Sequence, residues 1–381
     1  FAVVVSAGFG ALGSDGFNYV GSEYERDAFK SVVEWLHGDR VAYADREGKI
    51  ETKADWANGN VAMTGRSYAG TMPFAVATTG VEGLKTIVPV AGIADWYTQQ
   101  NMQGAQRYWP KEMLNSFLAY FCSSRYNDET LSEKQLDDIA AFHHELSLQQ
   151  LNYRLHADQI KCSALIVHGF NDENVSTKQF EMMHTAFEQA GQTVKLILHQ
   201  GPHITPTMAN KNYGILIDGK FYDDIVNEWI SHYLYGVENS AEEMPEVLAQ
   251  TNYDQKKWET ESAWKTEHTI KLTSKEESKT VIDTDWEKAG VSAENFDDVM
   301  ALKSTNMAQR YVTDPFEKAV TVQGPVCLNL KAALKDGNIE TDFDPENRND
   351  VDTLTMQLGN SKVSGKMDDV EIAVLLCDVC D

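Results

Sequence analysis

The order of apolar and polar positions divides the chain into three textures. Residues 1–7 form an unbroken apolar run, the mark of a strand covered on both faces, and lead into the glycine-rich segment Gly8–Gly16. Between Tyr24 and Leu36 the residues Phe29, Val32, Val33 and Leu36 recur at the spacing of one helix face. Asn60–Thr64 reads as a short strand that ends in Gly65-Arg66-Ser67-Tyr68-Ala69-Gly70, with a helical stretch over Met72–Thr79 after it. Leu84–Ala91, Ala164–His168 and Val194–His199 are further strands, and Thr177–Ala190 and Phe221–Leu234 have helical periods. Strands alternating with helices imply a parallel sheet covered on both faces.

Residues 97–160 interrupt this alternation. They are rich in Gln, Glu, Asp and Leu, with helical spacing over 131–142 and 144–155, and read as a helical insertion between two strands. From about Glu246 short alternating segments take over: His268–Leu272, Thr280–Asp283, Ala319–Val322, Val326–Leu330, Thr353–Leu358 and Glu371–Leu376. These predict an all-β sandwich. The expected organisation is an α/β domain over residues 1–248, carrying the insertion at 97–160, followed by an incomplete sandwich over 249–381. A strand already under way at Phe1 points to a fragment. The opening run lacks a basic flank and is too short to span a bilayer, so it reads as neither leader nor anchor.

Composition narrows the partners. Of 381 residues, 42% are hydrophobic and 24% charged, the balance of a globular chain able to bury a large core. With 33 basic and 58 acidic residues the formal charge is −25, a field that repels nucleic acid and anionic membranes. Five scattered cysteines form no disulfide framework and suit a reducing compartment. Cys377-Asp-Val-Cys380 has zinc-knuckle spacing but no second pair beside it, so neither a metal nor a cofactor is expected.

The sharpest chemical signal is Ser67. A serine between a strand and a helix, among small residues, is forced into a tight turn that lifts its hydroxyl above the sheet. Gly65 fits the Gly-x-Ser-x-Gly pattern; Ala69 stands at the second glycine position, with Gly70 one residue on. Such a hydroxyl needs a base, and the base needs an acid to hold its tautomer. Asp172 follows the strand at 164–168 and His203 follows the strand at 194–199 through Gly201-Pro202, both past strand ends where such sheets place ligands. Asp95, after the strand at 84–91, is the rival acid. His143, His144, His156, His184 and His232 fall in helical stretches and read as solvated or packing residues, and His168 and His199 as core or supporting positions.

The segment Asp55–Met63 with Gly65–Thr71, the opening Val4–Ser6 and Ser14–Gly16, Glu34-Trp35-Leu36 before Gly38, and the Asp172/Asn174/Val175 and His203 segments together resemble the Xaa-Pro dipeptidyl-peptidases of the cocaine-esterase-like family. Gly324-Pro325-Val326 and Asp368–Asp378 resemble that family's jelly-roll domain. The resemblance implies an α/β-hydrolase domain with a jelly-roll partner, a cytoplasmic enzyme without cofactor, a homodimer, and release of N-terminal dipeptides whose second residue is proline. It makes Ser67 the nucleophile, His203 the general base, Asp172 its orienter and the Tyr68 amide an oxyanion donor. Tyr68, Trp96, Asn174 and Val175 match positions that shape the proline pocket. Two departures stand out: Gln99 occupies a position that is usually aromatic, and the family's second oxyanion donor, a tyrosine, comes from upstream of Phe1. Alternatives are an amino-acid ester hydrolase of the same superfamily and a non-catalytic glycan- or protein-binding module with Trp258 and Trp264 as platforms, although these two tryptophans read better as packed core or interface residues.

Overall fold

The computed structural model describes residues 1–9, 14, 21–102, 105–106, 151–208, 215–264 and isolated positions between 290 and 318. One compact unit takes in Phe1–Ala263; the second, Trp264–Asp368, falls almost wholly outside the described residues. The expected sandwich strands, the insertion helix at 131–142 and Cys377-x-x-Cys380 also lie outside them.

The chain builds α1 (Glu23–His37), β1 (Val61–Arg66), α2 (Tyr68–Ala77), β2 (Leu84–Val90), α3 (Trp96–Gln100), β3 (Ser163–Gly169), α4 (Lys178–Gln189), β4 (Val194–His199), α5 (Tyr222–Tyr235), β5 (Val247–Gln250) and β6 (Trp258–Glu261). Helix α1 begins where Ser22 Oγ accepts the Glu25 amide and the Glu25 carboxylate turns back to accept the Gly21 amide at 2.9 Å. Each partner satisfies a group that a helix start leaves open.

Six strands form one sheet in the order β6-β5-β4-β3-β2-β1, so each strand lies beside its neighbours in sequence. All but β6 run parallel. The register pairs Arg66 with Val90, Val90 with Val167 and Gly169 with His199, which brings the carboxyl ends of β1 to β4 out along one rim. The connections that leave this rim begin at residues 67, 91, 170 and 200.

Both faces of the sheet are covered, as its near-continuous apolar strands require. On one face Tyr222, Ile225 and Trp229 of α5 pack on Val88, Val90, Leu165, Val167, Ile197 and Leu248. The Trp229 indole also donates to Thr86 Oγ1 at 2.6 Å, inside the core. By strand alternation Ile87, Ala164, Ile166 and Leu196 face the other side, where α2 packs on β1 and β2, and α4 on β3 and β4. Among the described residues no helix is long and apolar enough to cross a membrane.

Three expectations are corrected here. Residues 1–7 form no strand; Phe1, Val3 and Val5 are more than half exposed, and Phe1 stacks on Tyr235. An apolar run states what would gain from burial, not which edge is there to pair with it. Helix α2 begins at Tyr68 rather than Met72, because the Ser67 carbonyl already accepts the Thr71 amide at 2.9 Å. The segment 144–155 becomes a turn at Leu151 and the 3-10 helix Tyr153–Gln159 where it is described. The sheet itself runs on past residue 248 through β5 and β6, and Trp258 packs against the α5 core with its indole donating to the Leu216 carbonyl.

Candidate active site

Ser67 occupies the sharp turn between β1 and α2, with φ 62° and ψ −126°. That left-handed backbone is costly for a residue with a Cβ, on the order of 1–3 kcal/mol. The surroundings hold it there: the Ser67 amide donates to Val90 O on the neighbouring strand at 2.9 Å, while its carbonyl starts α2. The side chain makes no capping bond back to its own helix.

The glycine pattern around the serine now has a physical reading. A Cβ at Gly65 would lie 2.4 Å from the Ala69 carbonyl oxygen, and one at Gly70 would lie 2.4 Å from Val90 O. Position 69 itself is exposed, so its methyl meets no obstacle. The second crowded position of this turn is therefore 70, which explains why the chain departs from the Gly-x-Ser-x-Gly spacing without losing the turn.

Asp172 and His203 reach each other across two adjacent loops. Phe170 N donates to His199 O at 2.7 Å, and a Cβ on Gly169 would sit 2.3 Å from Gly201 O and 2.8 Å from Pro202 O. Only a residue without a side chain lets the backbones approach so closely. Asp172, with its side chain fully buried, accepts the Asn174 and Val175 amides on Oδ1 at 2.9 and 2.8 Å. Its Oδ2 lies 2.7 Å from His203 Nδ1. A carboxylate only accepts, so this bond fixes the imidazole proton on Nδ1 and leaves Nε2 with its lone pair. Burial works to raise the Asp172 pKa, but the His203 bond, the charge of His168 and the Val175 amide outweigh it and hold it below the usual value.

Arg66, next to the serine, donates from Nη1 to the His203 carbonyl at 3.2 Å and so ties the His203 loop to the turn that carries Ser67. Among the described residues Ser67 Oγ forms no hydrogen bond.

The remaining predicted positions cluster beside this rim. The Tyr68 and Trp96 rings lie 5.7 Å apart at 59°, and the Tyr68 hydroxyl donates to the buried Glu25 carboxylate. The Trp96 indole donates to Tyr153 Oη at 3.1 Å, and Tyr153 in turn donates to Gly21 O at 3.0 Å. Gln99 donates from Nε2 to the Asn174 carbonyl at 2.6 Å, so the amide that replaces the expected aromatic braces the loop bearing Asn174 and Val175. Asp95, the rival acid, caps α3 by accepting the Tyr97 amide and the Thr98 hydroxyl, and burial raises its pKa.

Two further residues support the site: His168, which the sequence marks as a core or supporting position, and Arg66. His168 donates from Nε2 to the Val175 carbonyl at 3.0 Å and lies 3.6 Å from Asp172 Oδ2, pinning the acid's loop from below. Burial first, and then the charge of His203, lower its pKa, whereas Asp172 and the Val175 bond oppose them. Arg66 was legible only as part of the Ser67 motif; a long cation one residue before a rim serine was the available signal.

Comparison with known proteins agrees with this architecture. Residues 1–205, more than half of the chain, match the family described as X-Pro dipeptidyl-peptidase (S15 family). An Xaa-Pro dipeptidyl-peptidase of Lactobacillus helveticus is 40% identical over 281 residues, covering 69% of this chain and 34% of that protein. One from Ligilactobacillus salivarius is 38% identical over 289 residues, covering 71% and 35%. The chain thus spans about a third of the length of these curated relatives. A solved CocE/NonD family hydrolase of Staphylococcus aureus aligns with a TM-score of 0.51 at 18% identity, covering 68% of this chain and 41% of its own. That likeness concerns the fold, which is α/β-hydrolase-like. On the family match and these relatives, the chain belongs to the X-Pro dipeptidyl-peptidase (S15) family.

Proposed function

We propose that this chain carries the catalytic apparatus of a serine exopeptidase that releases N-terminal Xaa-Pro dipeptides. The observation that carries the reading is the 2.7 Å bond between His203 Nδ1 and Asp172 Oδ2, on the rim where Ser67 stands in its strained turn. His203 Nε2 takes the Ser67 proton as Oγ attacks the carbonyl carbon of the proline residue. The tetrahedral oxyanion is met by the Tyr68 amide at the start of α2, where the helix dipole also favours negative charge. The imidazolium returns its proton to the leaving amine, and the C–N bond breaks to leave a dipeptidyl ester on Ser67. Water, deprotonated by the same imidazole, then hydrolyses that ester and restores the serine.

Tyr68, Trp96, Asn174 and Val175 form the proline pocket in this reading, since a flat apolar ring packs best against aromatic and β-branched walls. The substrate is a peptide with proline second. A following all-β module, a homodimer and a cytoplasmic site of action belong to the same proposal. The test compares a glycyl-prolyl aryl amide with a simple aryl ester, alongside fluorophosphonate labelling of Ser67. The expected result is amide turnover lost in Ser67→Ala. Ester turnover without amide turnover would point to an ester hydrolase, and failure to label Ser67 would point to a non-catalytic binding module.

A further inference from the structure

Away from the rim, α4 presents a histidine whose surroundings are unusual for a packing residue. His184 is fully buried, yet neither ring nitrogen has a hydrogen-bond partner. Two carboxylates nevertheless converge on it. Glu188, one helical turn later, places Oε2 3.4 Å from Nδ1, and Glu246 places Oε1 3.8 Å from Nε2. One donor atom from each of the three residues falls within 4.8 Å of the others. A buried polar group left unpaired costs on the order of 1–3 kcal/mol and asks for an explanation, an ion being one of the few available.

We infer that His184, Glu188 and Glu246 form a binding site for a divalent transition cation of the zinc class. The donor set is one imidazole nitrogen and two carboxylate oxygens, and imidazole selects zinc, cobalt or nickel over magnesium or calcium. A cation with bonds of about 2.0–2.2 Å needs its donors drawn slightly closer than they now stand. Glu188 and Glu246 supply that adjustment, because their side chains remain 46% and 28% exposed. The backbones are already fixed: His184 and Glu188 share one face of α4, and the Glu246 carbonyl accepts the Leu196 amide of β4 at 2.8 Å. The ion would clip α4, which follows the Asp172 loop, to the chain entering β5.

The test is calorimetric titration of the chelator-stripped protein with Zn2+, repeated on Glu188→Gln and Glu246→Gln. Co2+ spectra separate this site from the cysteines, because thiolate ligation adds an intense charge-transfer band. The expected result is one ion per chain, no thiolate band, and at least tenfold weaker binding in each variant with an unchanged metal-free denaturation midpoint. Zn2+ at about a hundredfold its dissociation constant should also raise the Tm of the unaltered protein by several degrees. Absence of stoichiometric binding, affinity in both variants unchanged from the unaltered protein, or a cobalt–thiolate band would overturn the assignment.

Discussion

Asp172→Asn offers the most searching test, because the structure dictates which way the new amide must face. Oδ1 of Asp172 accepts two backbone amides, from Asn174 and Val175. An asparagine that turned its NH2 group toward those donors would forfeit both bonds and oppose N–H to N–H, at a cost of about 1–3 kcal/mol for each unpaired group. The carbonyl is therefore held where Oδ1 stands, and the NH2 group meets His203 Nδ1 across the present 2.7 Å contact. Nδ1 must then accept, so the imidazole proton moves to Nε2, the atom that receives the serine proton in the proposed mechanism. In serine hydrolases this tautomer error costs about 10^4 in rate, near 5.4 kcal/mol of transition-state stabilisation. The assay is the second-order rate of fluorophosphonate labelling at Ser67, which does not depend on knowing the natural peptide. The denaturation midpoint confirms that the variant is folded. A folded variant that labels within tenfold of the parent would refute the role given to Asp172.

Two further outcomes follow from the packing around the site. Gly169→Ala places a Cβ 2.3 Å from one backbone oxygen and 2.8 Å from another. Pushing the two loops apart should cost about 1–3 kcal/mol in urea unfolding and slow Ser67 labelling as well; an unchanged midpoint would show that the close approach is not required. His199 is fully buried, and burial first, then the charge of His168, against an opposing effect of Asp172, push its pKa down to about 4. Its unfolded value is near 6.5, so over this window the unfolded chain binds the extra proton and stability falls as pH falls. Between pH 7 and pH 5 this one group should remove about 2 kcal/mol, read from denaturation midpoints, and equal stability at the two values would rule it out.

What the sequence determined by itself was local. Period and run length located the strands at 84–91, 164–168 and 194–199, because a strand buried on both faces must be apolar throughout. The small residues around Ser67 announced a tight turn, because only they fit one. Tertiary structure decided what came near what. It seated Gly70, rather than residue 69, against Val90 O, set Asp95 to capping α3, and gave His168 to the acid's loop. It also left residues 1–7 outside the sheet and brought Glu246, from a distant part of the chain, to His184 beside its helical neighbour Glu188. Hydrophobic pattern reports the free energy of burying a residue, which is additive along the chain. Partner choice depends on through-space distances that only the register of the parallel strands and the crossing of the loops create.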